Sequence, residues 1–106
     1  MLLLAAVPGL ALAAGQFIAF NNTTITNFDG LYLAPAGTDR WGPNQALNDK
    51  DHSLDHGERL RLKGIAPGRY DVRLTWGNGL SCIKHGVDLT VDHTFDVRDA
   101  DLAACR

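Results

Sequence analysis

The chain has few cysteines, no surplus of basic charge, and no apolar run long enough to cross a bilayer once its first residues are set aside. Only Cys82 and Cys105 occur, which allows at most one intramolecular staple. Ten Lys and Arg are interspersed with twelve Asp and Glu, for a formal charge of −2. No basic stripe is present to neutralise phosphates, so nucleic acid is not an expected partner. G-x-S-x-G and glycine-rich phosphate loops are both absent. Beyond residue 14 nothing reads as a membrane span. Sustained helical periodicity is missing too, apart from a weak trace from Ala46 to Leu54.

What is present begins with residues 1–14, MLLLAAVPGLALAA. An apolar stretch broken by Pro8 and ending in small residues reads as a secretory signal peptide, although its n-region holds no Lys or Arg. Ala11-Leu12-Ala13 meets the small-x-small requirement, placing cleavage after Ala13 or Ala14. The remaining residues 15–106, just over ninety, make one domain. Small domains bury a low fraction of their surface, and an exported one is expected to join Cys82 to Cys105. That bond closes a loop of about 24 residues and stabilises by roughly 3 kcal/mol in the chain-entropy model. The expected location is periplasmic or secreted.

Alternation dominates the rest. Tyr70, Val72, Leu74 and Trp76 fall on one face, with Asp71, Arg73 and Thr75 on the other. Leu60 and Leu62 alternate with Arg59, Arg61 and Lys63. Val87, Leu89 and Val91 alternate with Asp88, Thr90 and Asp92, and Phe95 with Val97 repeat the pattern. Residues 16–21 and 31–35 read as further strands, with a short one possible over 24–26. Gly77-Asn78-Gly79 is a hairpin turn signal, because both residue types tolerate positive φ, and Ala66-Pro67-Gly68 is another turn. The expected fold is all-β: a small antiparallel β-sandwich of six to seven strands. Its core should hold Leu60, Leu62, Tyr70, Val72, Leu74, Val87, Leu89, Phe95 and Val97. Arg40 to Gly57 is the expected main loop.

Three segments in order carry a resemblance: Asn21-Asn22-Thr23 after an apolar strand, then Leu31-Tyr32-Leu33-Ala34-Pro35 running to Trp41-Gly42, then Tyr70-Asp71-Val72-Arg73 followed by Gly86-Val87-Asp88-Leu89. Together they resemble a family of small exported bacterial proteins of uncharacterised function, and the likeness spans nearly all of the mature chain. It implies fold and export, and no activity. The family carries cysteines where this chain has Gly68 and Thr90; here Cys82 and Cys105 occur instead. Read by itself, Pro35, Gly37 and Gly42 shape a turn in which Asp39 can accept backbone N–H groups. Trp41 is then expected to close one end of the core.

Candidate chemistry is concentrated between Asn48 and Glu58. Asp49, Asp51, Ser53 and Asp55 alternate as at the start of a calcium loop, but Leu54 stands where the turn needs Gly and Leu60 where the bidentate Glu belongs. His52 and His56, four apart, could share a zinc or copper(II) ion with Asp51, Asp55 or Glu58 as a third ligand. The competing expectation is a solvated loop whose Asp and Ser cap backbone groups. His85 and His93 read as single surface imidazoles. Ser53 has histidine neighbours in sequence, yet that is not the geometry of a nucleophile with its base. Asn21 and Asn22 begin overlapping glycosylation sequons, for which a turn role is the alternative. The leading expectation is a monomeric, non-enzymatic binding or envelope-associated protein, acting on a protein or small ligand. A periplasmic metal-binding protein and a small inhibitor of a lytic enzyme or protease are the alternatives.

Overall fold

The computed structural model describes residues 17–105; the leader read over 1–14 lies outside them. Six strands form two three-stranded sheets. In chain order they are β1 (Ile18–Asn22), β2 (Gly30–Pro35), β3 (Arg59–Arg61), β4 (Arg69–Trp76), β5 (Leu80–Asp88) and β6 (Thr94–Arg98). One sheet has the order β3-β1-β6 and the other β2-β4-β5. Among the described residues one short helix, α1 (Asp99–Ala104), follows β6.

The period-two pattern sets which faces meet. Phe17, Ala19, Leu60, Leu62, Phe95 and Val97, on or flanking strands of the first sheet, pack against Leu31, Leu33, Val72, Leu74, Val87 and Leu89, on or flanking those of the second. Eight of the nine expected core residues are buried; Tyr70 is half-buried against the cluster, where its hydroxyl donates to the carbonyl of Ala66 at 2.6 Å. Phe28 and Leu54, both fully buried, join the core from loops through a reciprocal backbone pair, with N···O distances of 3.0 and 2.8 Å. Trp76 and Phe28 meet nearly perpendicular, with ring centroids 5.7 Å apart and 83° between the ring planes.

Several expectations are corrected. Not every pairing is antiparallel: β1 and β6 run parallel, from Ile18 opposite Thr94 to Asn22 opposite Arg98. β6 reaches that edge by crossing over from the other sheet, so no hairpin fixes its direction. No separate strand covers Val87–Val91. Instead β5 runs straight out of the Gly77–Gly79 turn and ends at Asp88, leaving Val91 79% exposed. Residues 24–26 form no strand; 24 and 25 are bends. The faint helical trace over Ala46–Leu54 yields one 3-10 turn, Gln45–Asn48. α1 has six residues, too short for its periodicity to register in sequence.

Cys82 and Cys105 are bonded, with Cα atoms 5.5 Å apart. Cys82 is buried on β5 and Cys105 caps α1, so the bond holds the helix against the sheet, where Leu102 packs on the core. Elsewhere the Leu89 N–H donates to the Gly68 carbonyl at 2.8 Å.

Candidate functional site

The polar side chains that look most like chemistry in the sequence turn out to hold backbone. Asn21 points into the sandwich and is fully buried. Its amide donates to the carbonyls of Thr26 (2.8 Å) and Leu54 (2.9 Å), while its Oδ1 accepts from the Thr23 N–H (3.1 Å) and hydroxyl (2.7 Å). All four of its hydrogen-bonding positions are filled. Asn44 caps the 3-10 turn: its Oδ1 accepts from the N–H groups of Leu31 and Ala46, both at 3.0 Å. Buried Gln45 pairs with the backbone of Lys63, accepting at 2.9 Å and donating at 3.0 Å. Three amides therefore stitch the long polar loop to both sheets.

Asp71 behaves in the same way. Alternation puts it on the solvent face of β4, yet it is 6% exposed. Opposite it, β5 inserts an extra residue at His85–Gly86, with Gly86 at φ +69°. One carboxylate oxygen accepts from the Gly86 N–H (3.1 Å), with His85 Nδ1 at 3.3 Å, and the other accepts from the Gly37 N–H (3.0 Å). The turn after β2 is thus held by Asp71 rather than by the Asp39 side chain.

The bond from Gly37 lowers the Asp71 pKa below its ordinary 3.8; burial acts against this, and Gly86 and His85 add to the lowering. A carboxyl with a depressed folded-state pKa contributes stability above the ordinary value, and that stability is lost as pH falls through the folded one. Asp71→Asn should therefore be less stable than wild type near neutrality, with the gap closing as pH falls below the ordinary carboxylate range. Urea midpoints from pH 7 downward check this; a gap that stays constant into acid would refute it. Asp88, held down by the Thr90 hydroxyl and N–H, and Asp99, by those of Thr24, keep some acid slope in the variant.

The proposed metal ligands are not gathered. Among the described residues no three His, Cys, Asp or Glu side chains are placed to hold one ion. His52 is exposed on backbone with φ 57°. The His56 N–H and Nδ1 both face Asn27 Oδ1, at 2.9 and 3.0 Å. Asp55 accepts from the Ser53 hydroxyl (2.7 Å) and Glu58 from the Asp55 N–H (2.9 Å). Asp51 is exposed, its N–H bonded to Asp49 (2.9 Å). The bonds within residues 49–58 are the capping pattern of a turn-rich loop, and those from His56 tie it to Asn27.

Two cations among the described residues are half-buried, Lys84 and Arg73; the others are exposed. Lys84 has a partner in Asp101 on α1 at 2.8 Å, above a depression also lined by Ser81, Ile83, His85 and Cys105. Arg73 has none. It stands on the outer face of β4, opposite Tyr32 on β2 and Ile83 on β5. Its guanidinium carbon lies 4.8 Å from the Tyr32 ring centre and 5.0 Å from that of Trp41. Trp41 is therefore no plug for the core: the loop after β2, fixed by the Gly42 N–H donating to Leu33 (2.9 Å), lays it over Arg73. Arg73 Nε is buried without an acceptor, a state that costs about 1–3 kcal/mol for an unsatisfied polar group.

In sequence Arg73 is marked only as a residue on the polar face of a strand. Its meaning depends on the β2–β4 register and on the path of the loop to Trp41, neither of which alternation encodes. Comparison with family models, with curated proteins and with solved structures finds no match to this chain.

Proposed function

We propose that this chain is an exported, single-domain binding protein that acts outside the cytoplasm and without catalysing a reaction. The observation that carries the reading is the Cys82–Cys105 bond, which ties α1 to the sheet and suits an oxidising compartment. The leader-like residues 1–14 support the same location. The binding role is supported by how polar groups are used: Asn21, Asn44, Gln45 and Asp71 all serve the backbone, and the half-buried cation without a partner faces outward on a rigid sheet.

Intact-mass analysis of protein expressed with its own leader in a bacterial host tests the export reading. The expected product starts at Ala14 or Gly15, is released by osmotic shock, and is two hydrogens lighter than its reduced form. Denatured, it should take up no thiol label. A product retaining Met1 in the cytoplasm, or one with two labelled thiols, would contradict the reading.

A further inference from the structure

A half-buried cation with no counter-charge calls for an account of what satisfies it. Arg73 lies against two aromatic rings: Tyr32 comes from the neighbouring strand and Trp41 from a loop anchored to β2. Cation–π contact with two rings restricts the guanidinium to few orientations before any ligand arrives. No hydrogen bond or ion pair to the Arg73 guanidinium exists among the described residues, and of its nitrogens Nε alone is both buried and unpartnered. Its Nη groups therefore reach solvent, and the donor edge of the planar fork is free. An arginine oriented in this way presents parallel N–H donors at the spacing of two oxygens on one carbon or phosphorus.

We propose that Arg73, positioned by Tyr32 and Trp41, is a recognition site for a carboxylate group on a small ligand or a chain end. A carboxylate is favoured over a phosphate by the local charge. The nearest charged residue along the same face of β4 is Asp71, a negative centre whose oxygens are already engaged by Gly37, Gly86 and His85. His85 is exposed, and the chain as a whole is acidic at −2. A single guanidinium balances one negative charge there; a dianion would face Asp71 uncompensated. The rings add apolar surface beside the bound group, so a ligand with an aliphatic or sugar body is better held than bare acetate. The proposal rests on the reading of the chain as a binding domain, and it fails separately: export and the disulfide can hold while this face binds nothing.

The test is a titration of purified, oxidised protein, followed through the Arg73 Nε–H and Trp41 Nε1–H signals in nitrogen-15 spectra. The probes are acetyl-glycyl-glycine, its C-terminal amide, glucuronate and inorganic phosphate. Saturable shifts with acetyl-glycyl-glycine, glucuronate or both are expected, with Kd on the order of millimolar for such small probes, and none with the amide. Which of the two carboxylates binds more tightly distinguishes a peptide end from a sugar acid as the source. Arg73→Gln should abolish the Trp41 response. Should that variant fail to fold, Arg73→Lys keeps the charge without the planar fork and should bind on the order of tenfold more weakly. No saturable shift with either carboxylate, equal response to the amide, tighter binding of phosphate, or full affinity in Arg73→Lys would each overturn the proposal.

Discussion

Replacing Asn21 by Ala is expected to destabilise the domain by about 3–5 kcal/mol, out of all proportion to the few atoms removed. The substitution strips a fully buried amide that fills all four of its hydrogen-bonding positions. What remains is worse than a cavity: the Thr23 N–H loses its only acceptor, and the carbonyls of Thr26 and Leu54 each lose one of two donors, places that buried water would have to fill. The loss also frees the start of the Thr23–Asn27 bend and the segment around Leu54, which pairs with Phe28 in the core. Asn22 is the internal control. It is exposed, its amide 3.5 Å from Asp96, and its replacement by Ala should change stability by no more than about 0.5 kcal/mol. Urea denaturation with the disulfide intact measures both. Equal effects at the two positions would mean that the buried amide is not a structural tie.

Leu74→Ala should cost about 2–5 kcal/mol, a large share of the 5–15 kcal/mol that typically holds a domain together. Leu74 is fully buried at the middle of β4, paired with Leu31 on β2 and Cys82 on β5. Both neighbours are fixed, one by the sheet and the other by its bond to Cys105, so the site cannot collapse to fill the space. Thr75, the next residue and of opposite phase, donates its hydroxyl to Asp29 at 2.6 Å on the solvent side, and Thr75→Ala should be mild. If Leu74→Ala were the milder of the two, the assigned faces of β4 would be reversed.

These expectations show which parts of the molecule the residues announce. Alternation in β4 and β6 identifies core positions because a half-buried strand repeats with period two. Val72, Leu74, Phe95 and Val97 are all buried as that pattern requires. The glycines at 77 and 79 do adopt positive φ, 61° and 87°, and set the β4–β5 hairpin. Asp71 escapes the pattern because its burial is produced by N–H groups brought from two other segments, at Gly37 and Gly86. Period-two reading assigns every charge to solvent and cannot anticipate a carboxylate used as a tie. The polar loop from Arg40 to Gly57 is opaque for a related reason. Its fixed shape comes from Asn44 and Gln45 meeting backbone 13 and 18 residues away, contacts that leave no local trace. Asp51, His52, Asp55, His56 and Glu58 cluster in sequence as metal ligands would, and composition alone does not distinguish capping from coordination. Arg73 is the opposite case. In sequence it is one more charge on a strand; only the register with Tyr32 and the placement of Trp41 single it out.

The central claim is that buried and half-buried polar side chains make this small domain rigid, including its long loop, and so hold the Arg73 face in place. Native-state amide hydrogen exchange tests it most directly. The N–H groups of Thr23, Leu31, Gly37, Ala46, Lys63 and Gly86 donate to side-chain oxygens of Asn21, Asn44, Asp71 and Gln45 rather than to strand partners. Their exchange should be slowed to the level of the strand amides of β4 and should open with the same free energy as the whole domain. Fast exchange at these positions, with protection confined to the strands, would contradict the account.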